Sequence, residues 1–548
     1  MAENGIARIS AAELRELLLG DGEVALIDVR EEGAFSRAHL LVASNVPAGR
    51  LELLIGDLAP RLDVPLVLCD EDERTAGWCA ARLAPMGYTD LRVLAGGVGA
   101  WNAAGYALFD GVHVPSKAFG ELVSETRHTP SITAGELRAL LDGEAPPFLI
   151  DCRPKTEYAA WSLPGAIDLP GVELAYRLQQ VDVPQGRKLV VNCAGRTRSI
   201  IGTQTLVDLG LVSDVAALEN GLMGWRLGGF ETGSGGPGMV DDRSRAVQNI
   251  RLPDAPAGTG TQVARAVAAL AGKAGVVTLD WPAFAALRRK AAGRTLYLID
   301  VRTPEEFLAG HHPDAVSAPG GQLIQETDRY VGVRNAILVL TDDTGVRAQL
   351  TGIWLRRLGW PEVYALPAIN EQTGLVSGPR LPRLPDPVTD MPLVDVAGLQ
   401  EKLRSGEAAV LDLSLSTAYQ AGHIPGAWFG TRAKLESQLG DFPEGMTIVL
   451  VSEDGALAGL AYGDMPDWRG RAVFVLAGGM AAWRAANLPL ETGMTHALSE
   501  PDDRWWQPER HPGGMAGFMR DYLSWEVGLV ERVLADGTAR YARHLIGA

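Results

Sequence analysis

The chain is predicted to be an α/β protein of four tandem units, each a small parallel sheet flanked by helices, followed by a helical C-terminal extension. Strand-like apolar runs ending in aspartate recur at Ala25-Leu26-Ile27-Asp28, Phe148-Leu149-Ile150-Asp151, Tyr297-Leu298-Ile299-Asp300 and Val410-Leu411-Asp412. Arginine follows two residues later in the first three, and His39, Ser162, His311 and His423 stand eleven residues after the four aspartates. A second strand-like run ends 40 to 42 residues past each aspartate, at Cys69, Cys193, Thr341 and Ser452. Copies in such register define an internal repeat. Strands alternating with helical patterns over roughly 110 residues imply a parallel sheet covered on both faces.

The first unit, residues 6–110, opens with the helical pattern Ala11-Ala12-Glu13-Leu14-Arg15-Glu16-Leu17-Leu18 and closes with Gly96-Gly97-Val98-Gly99-Ala100-Trp101. The second, 126–232, opens at Thr133-Ala134-Gly135-Glu136-Leu137 and closes with Asn220-Gly221-Leu222-Met223-Gly224-Trp225. The third, 262–385, has Leu366-Pro367-Ala368-Ile369-Asn370 in place of that turn and aromatic, which leaves its edge least defined. The fourth, 390–494, closes with Gly478-Gly479-Met480-Ala481-Ala482-Trp483. Breakers mark two joints: Thr232-Gly233-Ser234-Gly235-Gly236-Pro237-Gly238 and the proline-studded Gly378 to Pro385. Two pairs of units are therefore expected, joined by the segment around 232–275, which carries a helical pattern at Gln262 to Leu270. In the tail, 495–548, Phe518, Tyr522, Trp525 and Leu529 recur at helical spacing and are expected to dock a helix on the units.

At 548 residues the chain exceeds one core, and about 150 residues per domain gives three or four. Hydrophobic residues at 47% and charged residues at 21% are ordinary globular values. A net charge of −17 argues against nucleic-acid or anionic-membrane partners. The start, Met1-Ala2-Glu3-Asn4-Gly5, lacks the basic and apolar regions of a secretory signal, and no apolar run is long enough to span a bilayer. Four cysteines make no disulfide framework, so a reduced, cytoplasmic setting is expected. No spacing suggests a zinc site or a phosphate-binding glycine loop, and no cofactor is expected.

Val190-Val191-Asn192-Cys193-Ala194-Gly195-Arg196-Thr197-Arg198-Ser199-Ile200-Ile201-Gly202 reads as strand, loop and helix, with a thiol at the turn. A loop curled over that helix start points backbone N–H groups at the sulfur, and the helix dipole adds partial positive charge. Arg196 and Arg198 add fixed charges, and a cysteine pKa of about 8.5 falls by one to several units in such surroundings. Cys193 is thus expected to be a ready nucleophile in a cradle that suits a small oxyanion.

The loop Cys193-Ala194-Gly195-Arg196-Thr197-Arg198 resembles the active-site loop of the rhodanese family, sulfurtransferases that carry sulfur as a cysteine persulfide, and the resemblance extends over about residues 6–494. It implies that Cys193 attacks the outer sulfur of a donor such as thiosulfate and passes that sulfur to cyanide or a thiol, with an acceptor protein as a further partner to consider. Arg198 then orients and charge-balances the anion, Arg196 faces the mouth and recruits it, and the amides of Ala194, Gly195, Arg196, Thr197, Arg198 and Ser199 stabilise the anionic sulfur. Asp151 and Arg153 support the loop from the neighbouring strand. Two loop arginines favour a doubly charged donor over 3-mercaptopyruvate.

The other copies look unsuited to this chemistry. Cys69 is followed by Asp70-Glu71-Asp72-Glu73, and each carboxylate at about 7 Å opposes ionisation by roughly 1 kcal/mol at an effective dielectric of about 40. Thr341 and Ser452 cannot hold a persulfide, so the first, third and fourth units are expected to be inactive. Cys79 and Cys152 read as small core hydrophobes, and the three repeat histidines as structural. A phosphatase of related fold needs one more residue between cysteine and arginine, a spacing kept only by Thr341 to Arg347, which lacks the thiol. The non-enzymatic alternative is a redox or sulfane-sulfur sensor, or a protein-binding scaffold, built from inactive copies.

Overall fold

The computed structural model describes residues 6–178, 181, 183, 186–233, 262–369, 374–385, 390–465, 467–498, 500–505 and 515–547. Most of the 232–238 joint therefore lies outside the described residues. Each repeat folds as an α/β unit around a parallel sheet. In the second the strand order is Ser131–Ile132, Val215–Leu218, Leu189–Asn192, Phe148–Asp151 and Ile167–Asp168. Leu189–Asn192, buried at every position, occupies the centre, as a β-branched run covered on both faces should. The opening helices Ala11–Leu19 and Ala134–Leu141 begin at Ser10 and Thr133, whose hydroxyls accept from the amides of Glu13 and Glu136 while those carboxylates return to the cap.

The repeated sequence features have concrete structural roles. Arg30, Arg153 and Arg302 chelate the strand-ending Asp28, Asp151 and Asp300, and each also reaches a carbonyl eight residues on, at Ala38, Trp161 and Gly310. His39, His311 and His423 donate from Nδ1 to the backbone carbonyls four residues back and stack on Phe35, Phe307 and Tyr419, so their setting is structural. The closing turn backs the loop: Gly221 has φ +54° and a Cβ there would stand 2.3 Å from the Cys193 carbonyl oxygen. Gly97 and Gly479 press on Asp70 and Ser452 in the same way.

The expected pairing of neighbouring units is not what forms. Val333–Arg334 of the third unit pairs antiparallel with Val24–Asp28 of the first, extending its sheet to six strands. One core joins the first and third units, and another joins the second and third. The third unit is thus central, because its helix Val346–Arg357 is buried nearly all round rather than along one stripe. The fourth unit docks on the first, where Arg432 chelates Glu52 and also bonds Asp464. Between the first two units runs a helix, Val114–Arg127, that buries Ser116, Lys117 and Glu121. The described tail includes the helices Met515–Val527, Leu529–Asp536 and the short Arg543–Ile546; the first buries Met519, Leu523 and Glu526 rather than the expected Phe518, Tyr522 and Trp525, while Leu529, the fourth expected residue, is buried at the start of the second. Among the described residues no helix is long and apolar enough to cross a membrane.

Candidate active site

Cys193 follows the last residue of the central strand, and the loop ends at the start of the helix Thr197–Leu209. Asp151 and Asn192 are register partners; the Asn192 amide donates to Asp151 at 3.0 Å, and Arg153 chelates the same carboxylate. The carbonyls of Cys193 and Ala194 accept from the amides of Leu222 and Met223, which binds the loop to the closing turn. The loop is thus tied to the closing turn and rests on the Asp151–Asn192–Arg153 network.

Cys193 is 2% exposed, and burial by itself would push its thiol up. The Cys152 thiol, the Arg198 charge and the hydroxyl and amide of Ser199 more than offset this and hold it at about 6. Ser199 Oγ is 3.4 Å from the sulfur and donates to the Arg196 carbonyl at 2.9 Å. Cys152, expected to be a bland core residue, is buried in the same apolar cluster but stands beside the nucleophile, donating to the Asn192 carbonyl at 3.1 Å. Burial pushes its thiol well up, so it stays protonated and serves as a donor.

The loop faces a cavity of about 110 Å³ lined by the first three units, the bridging segment and the tail. The bridging segment contributes His113 and Lys117, the first unit Glu32, the third Gln325, Glu326 and Arg329, and the tail Arg504, Trp505, Tyr522 and Glu526. Basic side chains outnumber acidic ones on its wall, which suits an anionic ligand. Arg198 is chelated by Glu157 at 2.7 and 2.9 Å and touches Gln322 of the third unit. Arg196, expected to face the mouth, is instead held by Glu121 at 2.7 Å through both nitrogens and by Asn220 at 3.0 Å. His113 pairs with Asp328 at 2.9 Å, which pushes its imidazole up against the effect of burial. A larger cleft of about 640 Å³ lies between the second and third units and reaches Cys152.

Two of the equivalent loops, in the first and third units, are filled from within. In the first unit the residue after the cysteine, Asp70, is 1% exposed and accepts from the amides of Glu73 at 2.7 Å and Ala76 at 3.0 Å. In the third, Asp342 accepts from Thr344, Gly345 and Ala348. Only Ala194, with no group to do this, occupies that position in the second unit. Cys69 is pushed well up, chiefly by burial and then by Asp28, whereas Glu71 and Asp72 of the expected acidic run point largely into solvent.

A strand–loop–helix repeated in four parallel α/β units, with a thiol at the strand tip in the second, defines a rhodanese-type architecture. Residues 10–104, 133–227, 284–367 and 395–486 match the rhodanese-like domain family, and the chain belongs to it. Over 98% of its length it superposes on 99% of the thiosulfate sulfurtransferase of Pseudomonas aeruginosa, with 40% identity and a TM-score of 0.89. It is 34% identical over 89 residues to an HTH-type transcriptional regulator of Mycobacterium tuberculosis, of which it spans 38%, and 33% identical over 87 residues to the Bacillus subtilis protein YqhL, of which it spans 68%.

Proposed function

We propose that the chain is a sulfurtransferase that takes sulfane sulfur from thiosulfate and delivers it to cyanide or a thiol through a persulfide on Cys193. The observation that carries this reading is a buried cysteine held at about 6 inside the one loop whose cradle has no carboxylate of its own in the position after the nucleophile. The Pseudomonas aeruginosa relative named for this activity supports it. In the first half-reaction the Cys193 thiolate bonds to the outer sulfur, the S–S bond of the donor breaks, and sulfite leaves with the electron pair. In the second, the acceptor bonds to that sulfur and Cys193 leaves as thiolate. Arg198 supplies charge beside the sulfur, the amides of Ala194 to Ser199 and the Arg196 and Thr197 backbone line the cradle, and Asp151 with Arg153 fixes the strand end.

In this reading residues 126–232 form the catalytic unit, and those at 6–110, 262–385 and 390–494 have become structural. Four thiols, none bridged, suit a reducing, cytoplasmic compartment. The test is steady-state turnover of thiosulfate with cyanide or a thiol, together with a mass spectrum of protein incubated with thiosulfate alone. One added sulfur on the Cys193 peptide and loss of turnover in Cys193→Ser are expected. A scaffold or sensor would bind a protein, or react once with oxidant, without turnover.

A further inference from the structure

The tail places a carboxyl group in the cavity. Glu526, on the helix Met515–Val527, is 1% exposed and lines the same cavity as Cys193. Its Oε1 accepts from the Thr197 hydroxyl at 2.9 Å, while among the described residues Oε2 has no partner. That free oxygen lies 3.3 Å from where a Cβ on Gly195 would stand, so it looks onto the loop itself. A buried carboxyl oxygen left unpaired against the loop that carries a reactive thiol is costly unless a ligand completes it.

We propose that Glu526 is a catalytic acid and base that carries one proton from the sulfur acceptor to the departing sulfite. The proposal rests on the sulfurtransferase reading above. A thiolate attacking a thiosulfate dianion brings together three negative charges, and a neutral carboxyl beside the donor both avoids a fourth and hydrogen-bonds the sulfonate end. When the donor S–S bond breaks, the Glu526 carboxyl protonates sulfite, giving hydrogensulfite, a Cys193 persulfide anion and a Glu526 carboxylate. That carboxylate then takes the proton of an incoming thiol. The new thiolate bonds to the outer persulfide sulfur, Cys193 leaves as thiolate, and both groups return to their starting forms. Thiol and thiosulfate go in; organic persulfide anion and hydrogensulfite come out, with charge and atoms conserved.

The surroundings suit a group that changes protonation. Burial pushes the Glu526 carboxyl above its ordinary range, and Glu121 and the Cys193 charge push the same way, while Lys117 and the Thr197 hydroxyl oppose them. Arg196 also faces it from the loop, and Tyr522 on its own helix receives a hydrogen bond from Lys117. None of these neutralises Oε2 by a direct bond.

The experiment is the pH profile of single-turnover persulfide formation from thiosulfate in the full chain, read by mass spectrometry, for wild type, Glu526→Gln, Glu526→Asp and Thr197→Val. The wild-type rate is expected to rise as Cys193 ionises and to fall on an alkaline limb as Glu526 loses its proton. Glu526→Gln is expected to slow loading by about 10²-fold or more and remove that limb. Glu526→Asp is expected to restore part of the rate with the limb present, and Thr197→Val to move the limb to higher pH by removing a bond to the carboxylate. Glu526→Gln loading within about twofold of wild type, with the limb unchanged, would overturn the proposal; so would a Thr197→Val limb that does not move, a result that stands even if the glutamine variant fails to fold. A wild type that never acquires sulfur defeats the sulfurtransferase reading instead, which separates the two.

Discussion

Replacing Ala194 by aspartate should convert the active loop into a copy of its filled neighbours. Asp70 and Asp342, one residue after the nucleophile position, each draw backbone amides of their own loop onto a carboxylate. In Ala194→Asp the new carboxylate would occupy the amides meant for the donor and place a negative charge beside the sulfur. If the cradle's benefit is lost, Cys193 returns from about 6 to the ordinary value near 8.5, a change of about 3 kcal/mol in favour of the thiol. At pH 7 the thiolate fraction then falls from roughly nine-tenths to roughly one-thirtieth, about a 30-fold loss before any loss of donor binding. The assay is the pH dependence of Cys193 alkylation, followed by thiosulfate turnover, with Ala194→Asn as the neutral isostere. Alkylation at pH 7 that stays within about threefold of wild type, in a protein that melts normally, would refute the idea that an internal carboxylate silences these loops.

Gly221→Ala should collapse turnover, since a Cβ at φ +54° would meet the Cys193 and Gly195 carbonyl oxygens at 2.3 and 2.6 Å. Gly97→Ala meets the Asp70 carbonyl at the same 2.3 Å, so it should lower Tm comparably while leaving turnover nearly intact, and loss of activity in both would mean the loops share a function. Asp328→Asn tests the His113 pair at 2.9 Å, worth about 1.5–3 kcal/mol. The His113 imidazole is raised, so its contribution is complete below about 6.5 and fades as pH rises through the folded value; Asp328 is lowered, so its share is lost as pH falls through its own folded value. The stability deficit of Asp328→Asn should therefore be largest between about pH 4 and pH 6.5, measured by denaturant melts across pH, and a deficit that grows above pH 8 would contradict this.

The repeat, the strands and the Cys193 loop could be read from sequence because each is local: an apolar run, an aspartate with its arginine, a thiol before a helix start. What surrounds the loop could not. His113, Lys117 and Glu526 come from segments outside the repeat, where no period says which residues converge. Lys117 and Glu526 belong to buried helix faces that polarity marks as solvent-facing. The tail's aromatic spacing pointed to a neighbouring stripe, and the burial of Met519, Leu523 and Glu526 shows how a shift of one residue moves the buried face by about 100°. Cys152 was hidden by chemistry common to core and site, since a small thiol suits both. The order of packing was hidden too: adjacency in sequence suggested successive pairs, but the helix Val346–Arg357 has apolar contacts available on every side, which fits only the middle of an assembly.

On the proposed reading, the filled loops also explain why the first and third units keep the architecture of an anion site. An amide cradle at a helix start is a set of unsatisfied donors, and buried it is expensive without an anion. In the second unit that anion is the Cys193 thiolate and, on the proposed reading, its substrate. In the first and third units the protein supplies its own, Asp70 and Asp342, so the loop is satisfied without a ligand. Once stable in that form, these units can present side chains elsewhere. Glu32 from the first and Gln325, Glu326 and Arg329 from the third close the cavity over Cys193, and the tail completes it with Glu526. On the proposed reading, filling of the copies and enclosure of the catalytic loop go together: the first unit, filled at Asp70, and the third, filled at Asp342, both build the wall of the second.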